Sequence, residues 1–285
     1  MSAQAVHTIP NLNGAVTGIA LLKDRLYFSH RGIAHLALLL LPTFQSLGYI
    51  DCYCPTCRNQ SGILQCNCYQ KANQQVAELQ HIVACNIKNC IYVALQKLHV
   101  GNYICKVALD QNNTLSSWSV AGIPWGLSIT SSHNVLAAFC NVNSLHEYTP
   151  DGQLIREINL QPAGISNVWY CVQLSNDQFG VTHHRPKNQF SIVSSDGQLV
   201  KSYPGNAREM NWPQGIAVDE RGRILVADQT NNRILVMDSK TLEAYPLQLP
   251  TDSELKAPYC IHFDAASRRL YIGEWNASRI VCCQL

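Results

Sequence analysis

The chain has 285 residues, 47% hydrophobic and 14% charged, with a formal net charge of +2. This composition supplies a large apolar core, and no run of one sign is long enough for a basic nucleic-acid arm or an acidic solvating tail. Closed all-β architectures often fill such a length as one unit, so a single domain over residues 1–285 is expected.

In chain order, the start "MSAQAVHTIPNLNG" has no basic segment leading into an apolar core and does not read as a secretory signal. The run "IAHLALLLL", Ile33 to Leu41, is too short to span a bilayer and stops at Pro42, so it reads as a buried strand. Next comes "DCYCPTCRNQSGILQCNCYQ", Asp51 to Gln70, with Cys52, Cys54, Cys57, Cys66 and Cys68. Two thiolate pairs, Cys54 with Cys57 and Cys66 with Cys68, have spacings that suit a tetrahedral zinc. The Cys-x-Cys half is unusual for such a site, so incidental thiols are the preferred reading and no cofactor is assigned. The stretch "KANQQVAELQHI" has weak amphipathic character and suits a short helix or a loop. There are thirteen cysteines. Cys85, Cys140, Cys171 and Cys260 sit in or beside apolar runs, as free thiols packed like small hydrophobes do. A reducing, cytoplasmic location is therefore expected.

A repeat runs through the whole chain. Its units are "GIALLKDRLYFSH" from Gly18, "IVACNIKNCIYVAL" from Ile82, "GLSITSSHNVLAAF" from Gly126, "YCVQLSNDQFGVTH" from Tyr170, "GIAVDERGRILVAD" from Gly215 and "CIHFDAASRRLYIGE" from Cys260. Successive starts are 64, 44, 44, 45 and 45 residues apart, a period that marks a propeller built of small sheets. The long first spacing is accounted for by the Cys-rich insertion at about 51–70. Turn sequences "TPDGQL" and "SSDGQL" fall at equivalent places in two units. The last unit has room for three strands only, and the N-terminal "AVHTIP" is strand-like. The expected fold is thus an all-β, six-bladed β-propeller whose ring is closed by the N-terminal strand joining the last blade.

The fifth unit carries the most specific pattern: Pro213, then Gly215-Ile-Ala-Val-Asp219, Gly222, Ile224-Leu-Val-Ala-Asp228 and Asn231-Asn-Arg233-Ile234. It resembles the NHL repeat. The resemblance is partial in the units from Gly126 and Cys260; the second and fourth share only spacing and apolar pattern. NHL-type propellers serve as enzymes, RNA readers and protein-docking modules. In tripartite-motif proteins such a module follows a RING finger and supplies target recognition to a ubiquitin ligase. The Cys-rich insertion here lacks the Cys/His order of a RING.

Positions equivalent to Asp228 are His30, Leu95, Phe139, His183 and Glu274, and the resemblance places them at the channel mouth. Two are apolar, and His30, His183, Asp228 and Glu274 make a poor metal set, so catalysis by a metal-dependent hydrolase or lyase ranks third. The loops joining second and third strands carry Arg31, Lys97, Arg185, Lys187, Arg233 and Arg279, with His183 and His184 beside them. Trp125, Trp169, Trp212 and Trp275 lie in or near the same face. Cations with flat aromatics suit either an acidic peptide or RNA. With net charge near zero, the preferred expectation is a monomeric, non-enzymatic scaffold that binds a protein partner on this more positive face, with RNA as the alternative and no membrane contact. The opposite face, with turns at Asp151, Asp196, Asp219 and Asp238, is expected to be more acidic.

Overall fold

The computed structural model describes residues 3, 6–9, 12, 14–30, 35–41, 43, 45–51, 77–97, 101–109, 114–174, 177–185, 187–203, 209–250 and 254–285. The cysteines between Cys52 and Cys68 lie outside these residues.

Each unit folds as a four-stranded antiparallel sheet. Blade one is β2–β5 (Val16–Leu22, Arg25–His30, His35–Leu40, Gln45–Asp51), and blade two is β6–β9 (Ala77–Cys85, Cys90–Lys97, Gly101–Ala108, Leu115–Val120). Blade three is β10–β13 (Pro124–Ile129, Val135–Phe139, Ser144–Tyr148, Leu154–Asn159), and blade four is β14–β17 (Ser166–Gln173, Gln178–Arg185, Gln189–Ser194, Leu199–Tyr203). Blade five is β18–β21 (Pro213–Val218, Ile224–Asp228, Arg233–Met237, Ala244–Pro246). Blade six takes β22–β24 (Pro258–Asp264, Arg269–Glu274, Ile280–Gln284) from the C-terminus and β1 (Val6–Ile9) from the N-terminus. There β1 runs antiparallel to β24, with Val6 opposite Cys283 and Ile9 opposite Ile280.

The only helical element among the described residues is a one-turn 3-10 helix, Gln161–Ala163. Residues 77–82, the second half of the weakly amphipathic stretch, are strand: β6 begins at Ala77. Among the described residues no helix is long and apolar enough to cross a membrane.

Six buried apolar clusters hold the ring, one at each seam between neighbouring blades. Alternation along the middle strands sends side chains to the seams on either side. The closing seam joins Tyr259, Tyr271, Ile280 and Cys282 of blade six to Val16, Ile19, Leu26 and Phe28 of blade one. Cys85, Cys171 and Cys260 are buried, and burial pushes the thiols of Cys171 and Cys260 far up, as expected for thiols used as packing. Innermost strands approach each other closely. A Cβ on Gly126 would lie 2.5 Å from the Trp169 carbonyl oxygen and 2.8 Å from the Tyr170 Cα of the next blade.

Candidate functional site: the mouth of the central channel

The innermost strand of every blade carries a β-bulge in the same place. Register shifts fall between Val16 and Gly18, Leu79 and His81, Pro124 and Gly126, Val168 and Tyr170, Pro213 and Ile216, and Pro258 and Cys260. In each case the partner strand has one residue fewer. A bulge leaves a residue out of the ladder and re-aims its side chain. The residues released are Thr17, Gln80, Trp125, Trp169, Gln214 and Tyr259, and all six line one cavity of about 280 Å³ on the ring axis. Leu79, Trp212, Gln229 and Trp275 complete the wall. No Asp, Glu, Lys or Arg is among these residues.

The aromatic side chains form a continuous tier. Trp125 and Trp169 have ring centroids 4.2 Å apart; Trp169 stacks on His184 at 4.7 Å, and His184 meets Trp212 at 4.5 Å. Across the mouth Tyr259 packs on Trp275 at 4.8 Å. Trp125 Nε1–H donates to Cys140 Sγ, 2.7 Å away. His184 donates Nε2–H to the Pro213 carbonyl, and burial pushes its pKa down to about 4, so the tier is uncharged at neutral pH. Trp212 is 47% exposed and holds a left-handed backbone, φ +55°. Bulky residues adopt that conformation only when the surroundings impose it.

Two carboxamide pairs lie at this end, and Gln80, Gln214 and Gln229 of them line the cavity. Gln80 Nε2–H donates to Gln96 Oε1 and Gln214 Nε2–H to Gln229 Oε1, each at 3.1 Å. They come from blades two and five, three blades apart in a ring of six. Gln214 is 1% exposed, yet its Oε1 has no partner; neither has the buried Trp169 Nε1. An unpaired buried polar atom costs about 1–3 kcal/mol, and His184 Nδ1 in the same tier is a third.

The residues equivalent to Asp228 lie at or near this end of the second strands, each opposite the residue before a bulge, but they are buried and Asp228, Glu274 and His183 are bonded away from the cavity wall. Asp228 is fully buried and accepts from Asn211 N–H at 2.7 Å, Asn231 Nδ2–H at 2.9 Å and Arg233 Nε–H at 2.7 Å. Glu274, also fully buried, accepts from Lys256 N–H at 2.6 Å and from the Arg279 guanidinium. His183 is 1% exposed, donating Nδ1–H to the Arg185 carbonyl and accepting from Ser191 Oγ–H, both at 2.9 Å. The expectation that these positions face the channel is corrected: the bulge residues do. The described residues bring no three of His, Cys, Asp or Glu together as a metal site, so His30, His183, Asp228 and Glu274 do not converge.

The expected cationic face divides accordingly. Arg233 and Arg279 are held by the buried carboxylates of their own blades. His183 belongs to the interior, and His184 to the aromatic tier. Arg185 and Lys187 are exposed at the mouth end of blade four. Lys97 closes β7 at that end, and Arg31 lies outside the described residues. The opposite end gathers the turns at Asp151, Asp196, Asp219 and Asp238, but part of its charge is paired, Asp219 with Arg223 and Glu220 with Arg268.

Comparison with known proteins agrees with this architecture. The NHL repeat family pattern matches residues 210–237, in blade five. Protein brain tumor of Drosophila melanogaster is 23% identical over 119 residues, 40% of this chain and 11% of that protein. Among solved structures, virginiamycin B lyase from Staphylococcus aureus is 12% identical with a TM-score of 0.64, covering 99% of both chains. A protein of unknown function from Bacteroides thetaiotaomicron reaches a TM-score of 0.71 at 11% identity, covering 98% of this chain and 75% of its own. At such identities these structures share the fold.

Proposed function

We propose that this six-bladed, NHL-repeat-bearing ring is a non-enzymatic interaction scaffold that takes a protein partner at the aromatic mouth of its channel. The observation that carries it is the convergence of six bulge side chains, three of them aromatic, on one uncharged cavity. Protein hot spots concentrate in Trp and Tyr within desolvated pockets ringed by polar groups. Exposed Arg185 and Lys187 at the rim supply steering charge for an acidic partner. An RNA backbone needs many cations, whereas Arg233 and Arg279 are engaged within their blades and the cavity wall holds none. Protein is therefore preferred to RNA. By the resemblance of blade five to the NHL repeat, we extend the proposal to target recognition in assemblies of ubiquitin-ligase type, acting as a cytoplasmic monomer.

Affinity capture from RNase-treated extract tests this. The parent is compared with Trp212→Asn, which keeps a residue tolerant of left-handed backbone, and with Arg221→Glu at the opposite end. Capture of a protein that is lost in Trp212→Asn and kept in Arg221→Glu is the expected result. Capture that survives Trp212→Asn overturns the mouth as the docking site, and binding abolished by RNase makes the partner RNA.

A further inference from the structure

The open surface of the cavity is mostly carbon. Trp125, Trp169 and Trp275 are half-buried and Trp212 is 47% exposed, so all four lining indoles keep accessible surface. The polar atoms around them are engaged or sealed. Trp125 Nε1–H donates to Cys140 Sγ, Thr17 Oγ1 is bonded to Ser29 Oγ and the Leu79 carbonyl, and Gln229 Oε1 accepts from Gln214. Trp169 Nε1 and Gln214 Oε1 have almost no accessible surface. A group entering here meets indole and phenol carbon, and an N–H that it brings finds no charged acceptor.

One residue past the bulges, His81 of blade two and Tyr170 of blade four meet edge-on with ring centroids 4.6 Å apart, which obstructs the axis. A partner's main chain does not thread the ring at that level. A volume of about 280 Å³ takes a short piece of a segment laid across the mouth. On the side of blade four the rim is cationic. Arg185 and Lys187 are exposed there, and Arg185 follows His184, whose ring meets both Trp169 and Trp212.

Resting on the partner-binding role proposed above, we infer that the mouth reads proline, carried in a segment with acidic neighbours. Proline brings no main-chain N–H into a wall that has no charge to answer one. Its ring packs on Trp and Tyr, and the extended backbone that it imposes is ordered before binding, as in other aromatic-lined grooves that take proline-rich segments. A leucine in the same place brings an N–H that needs an acceptor and loses side-chain freedom on burial. Acidic residues beside the proline answer Arg185 and Lys187. Aromatic boxes also suit a methylated ammonium, but that cation approaches past Arg185 and Lys187 and meets no carboxylate in the wall.

The test uses the full chain with 15N-labelled indoles and four acetylated, amidated pentapeptides. Three have the form Glu-X-X-X-Glu, with the centre as three prolines, three leucines, or alanine-trimethyllysine-alanine; the fourth is the proline peptide with Lys at both ends. The indole resonances of Trp125 and Trp275, assigned with Trp125→Phe and Trp275→Phe, are the direct readout. The Glu-flanked proline peptide should move them and bind about 10-fold more tightly than the leucine peptide, the worth of one unanswered N–H. It should also bind about 3-fold or more tightly than its Lys-flanked counterpart. Arg185→Glu combined with Lys187→Glu, both in an exposed loop, should reverse the order of the Glu and Lys flanks with the fold intact by circular dichroism. Leucine binding as well as proline, trimethyllysine binding better, equal binding of the two flanks, or unmoved indole resonances overturns the inference. Should every peptide fail while Trp212→Asn still abolishes protein capture, the docking face stands and the proline falls. Capture unaffected by Trp212→Asn brings down both.

Discussion

His81 and Tyr170 touch across the ring, edge-on at 4.6 Å, although their blades are not neighbours. Tyr170 thus fills the axis beneath the mouth, and it does so with a fully buried hydroxyl that has no hydrogen-bond partner. Removing that oxygen removes an orphan. Tyr170→Phe should leave the melting temperature unchanged or slightly raised, whereas Tyr170→Ala should cost about 3–5 kcal/mol, as for other large aromatic truncations. A marked loss in Tyr170→Phe would mean the hydroxyl has a partner after all.

The ion pair behind the mouth invites a second substitution. Asp228 serves three donors from within a fully buried position, so removing the carboxylate leaves the Asn211 N–H without its acceptor and takes from Arg233 the carboxylate that answers its charge, while its bond to the Glu209 carbonyl stays. Asp228→Ala should destabilise by about 3–5 kcal/mol, the usual cost of breaking a buried pair from one side. Denaturant unfolding measures it, and a change within about 0.5 kcal/mol would show the pair to be expendable.

Closure of the ring depends on four residues at the start of the chain. Deleting residues 1–13 removes β1, leaving β24 as an exposed edge in blade six. Thermal melting and light scattering should show a lower transition and aggregation. An unchanged melting temperature would mean that the closing seam, Tyr271 and Cys282 against Ile19 and Phe28, suffices alone.

Buried histidines make stability fall on acidification. Burial pushes His81 down to about 3, and His183, His184 and His262 to about 4, against about 6.5 in an unfolded chain. Between pH 6.5 and about 4 the unfolded chain therefore binds protons that the folded chain refuses, so stability declines as pH falls, by up to about 1.4 kcal/mol per pH unit for each histidine. Above pH 7 this contribution is constant. In His81→Gln, whose oxygen still accepts from Leu127 N–H, the decline should be shallower. Stability that rises between pH 6.5 and 4.5 would contradict the neutral, buried state of these rings.

The blades were legible because each is written in side-chain type: apolar alternation, Asp-Gly turns and a fixed period. The equivalence of His30, Leu95, Phe139, His183 and Glu274 to Asp228 also holds, each lying opposite the residue before a bulge. Their direction was not legible, since a buried Asp and a channel-facing Asp look alike in sequence. The bulges were missed because an extra residue in a ladder is a matter of hydrogen-bond register. One faint signal existed: Thr17, Trp125 and Gln214 each precede a glycine that starts a unit. In the second unit the repeat begins one residue early, at His81 rather than Ile82, which brings Gln80 into line with the other five. The sequence gathered the four mouth tryptophans and the cations beside them on one face; two of those cations, Arg233 and Arg279, answer to carboxylates of their own blades, a pairing that side-chain type alone does not show.

The most direct test of the mouth as the docking site is site-specific photocrosslinking. Benzoyl-phenylalanine replaces Trp212 at the mouth in one protein and Arg221 at the opposite end in another, and adducts formed in extract are identified by mass spectrometry. A discrete protein adduct from position 212, absent from position 221, is the predicted result. Adducts from position 221 alone, or an RNA adduct from position 212, would contradict it.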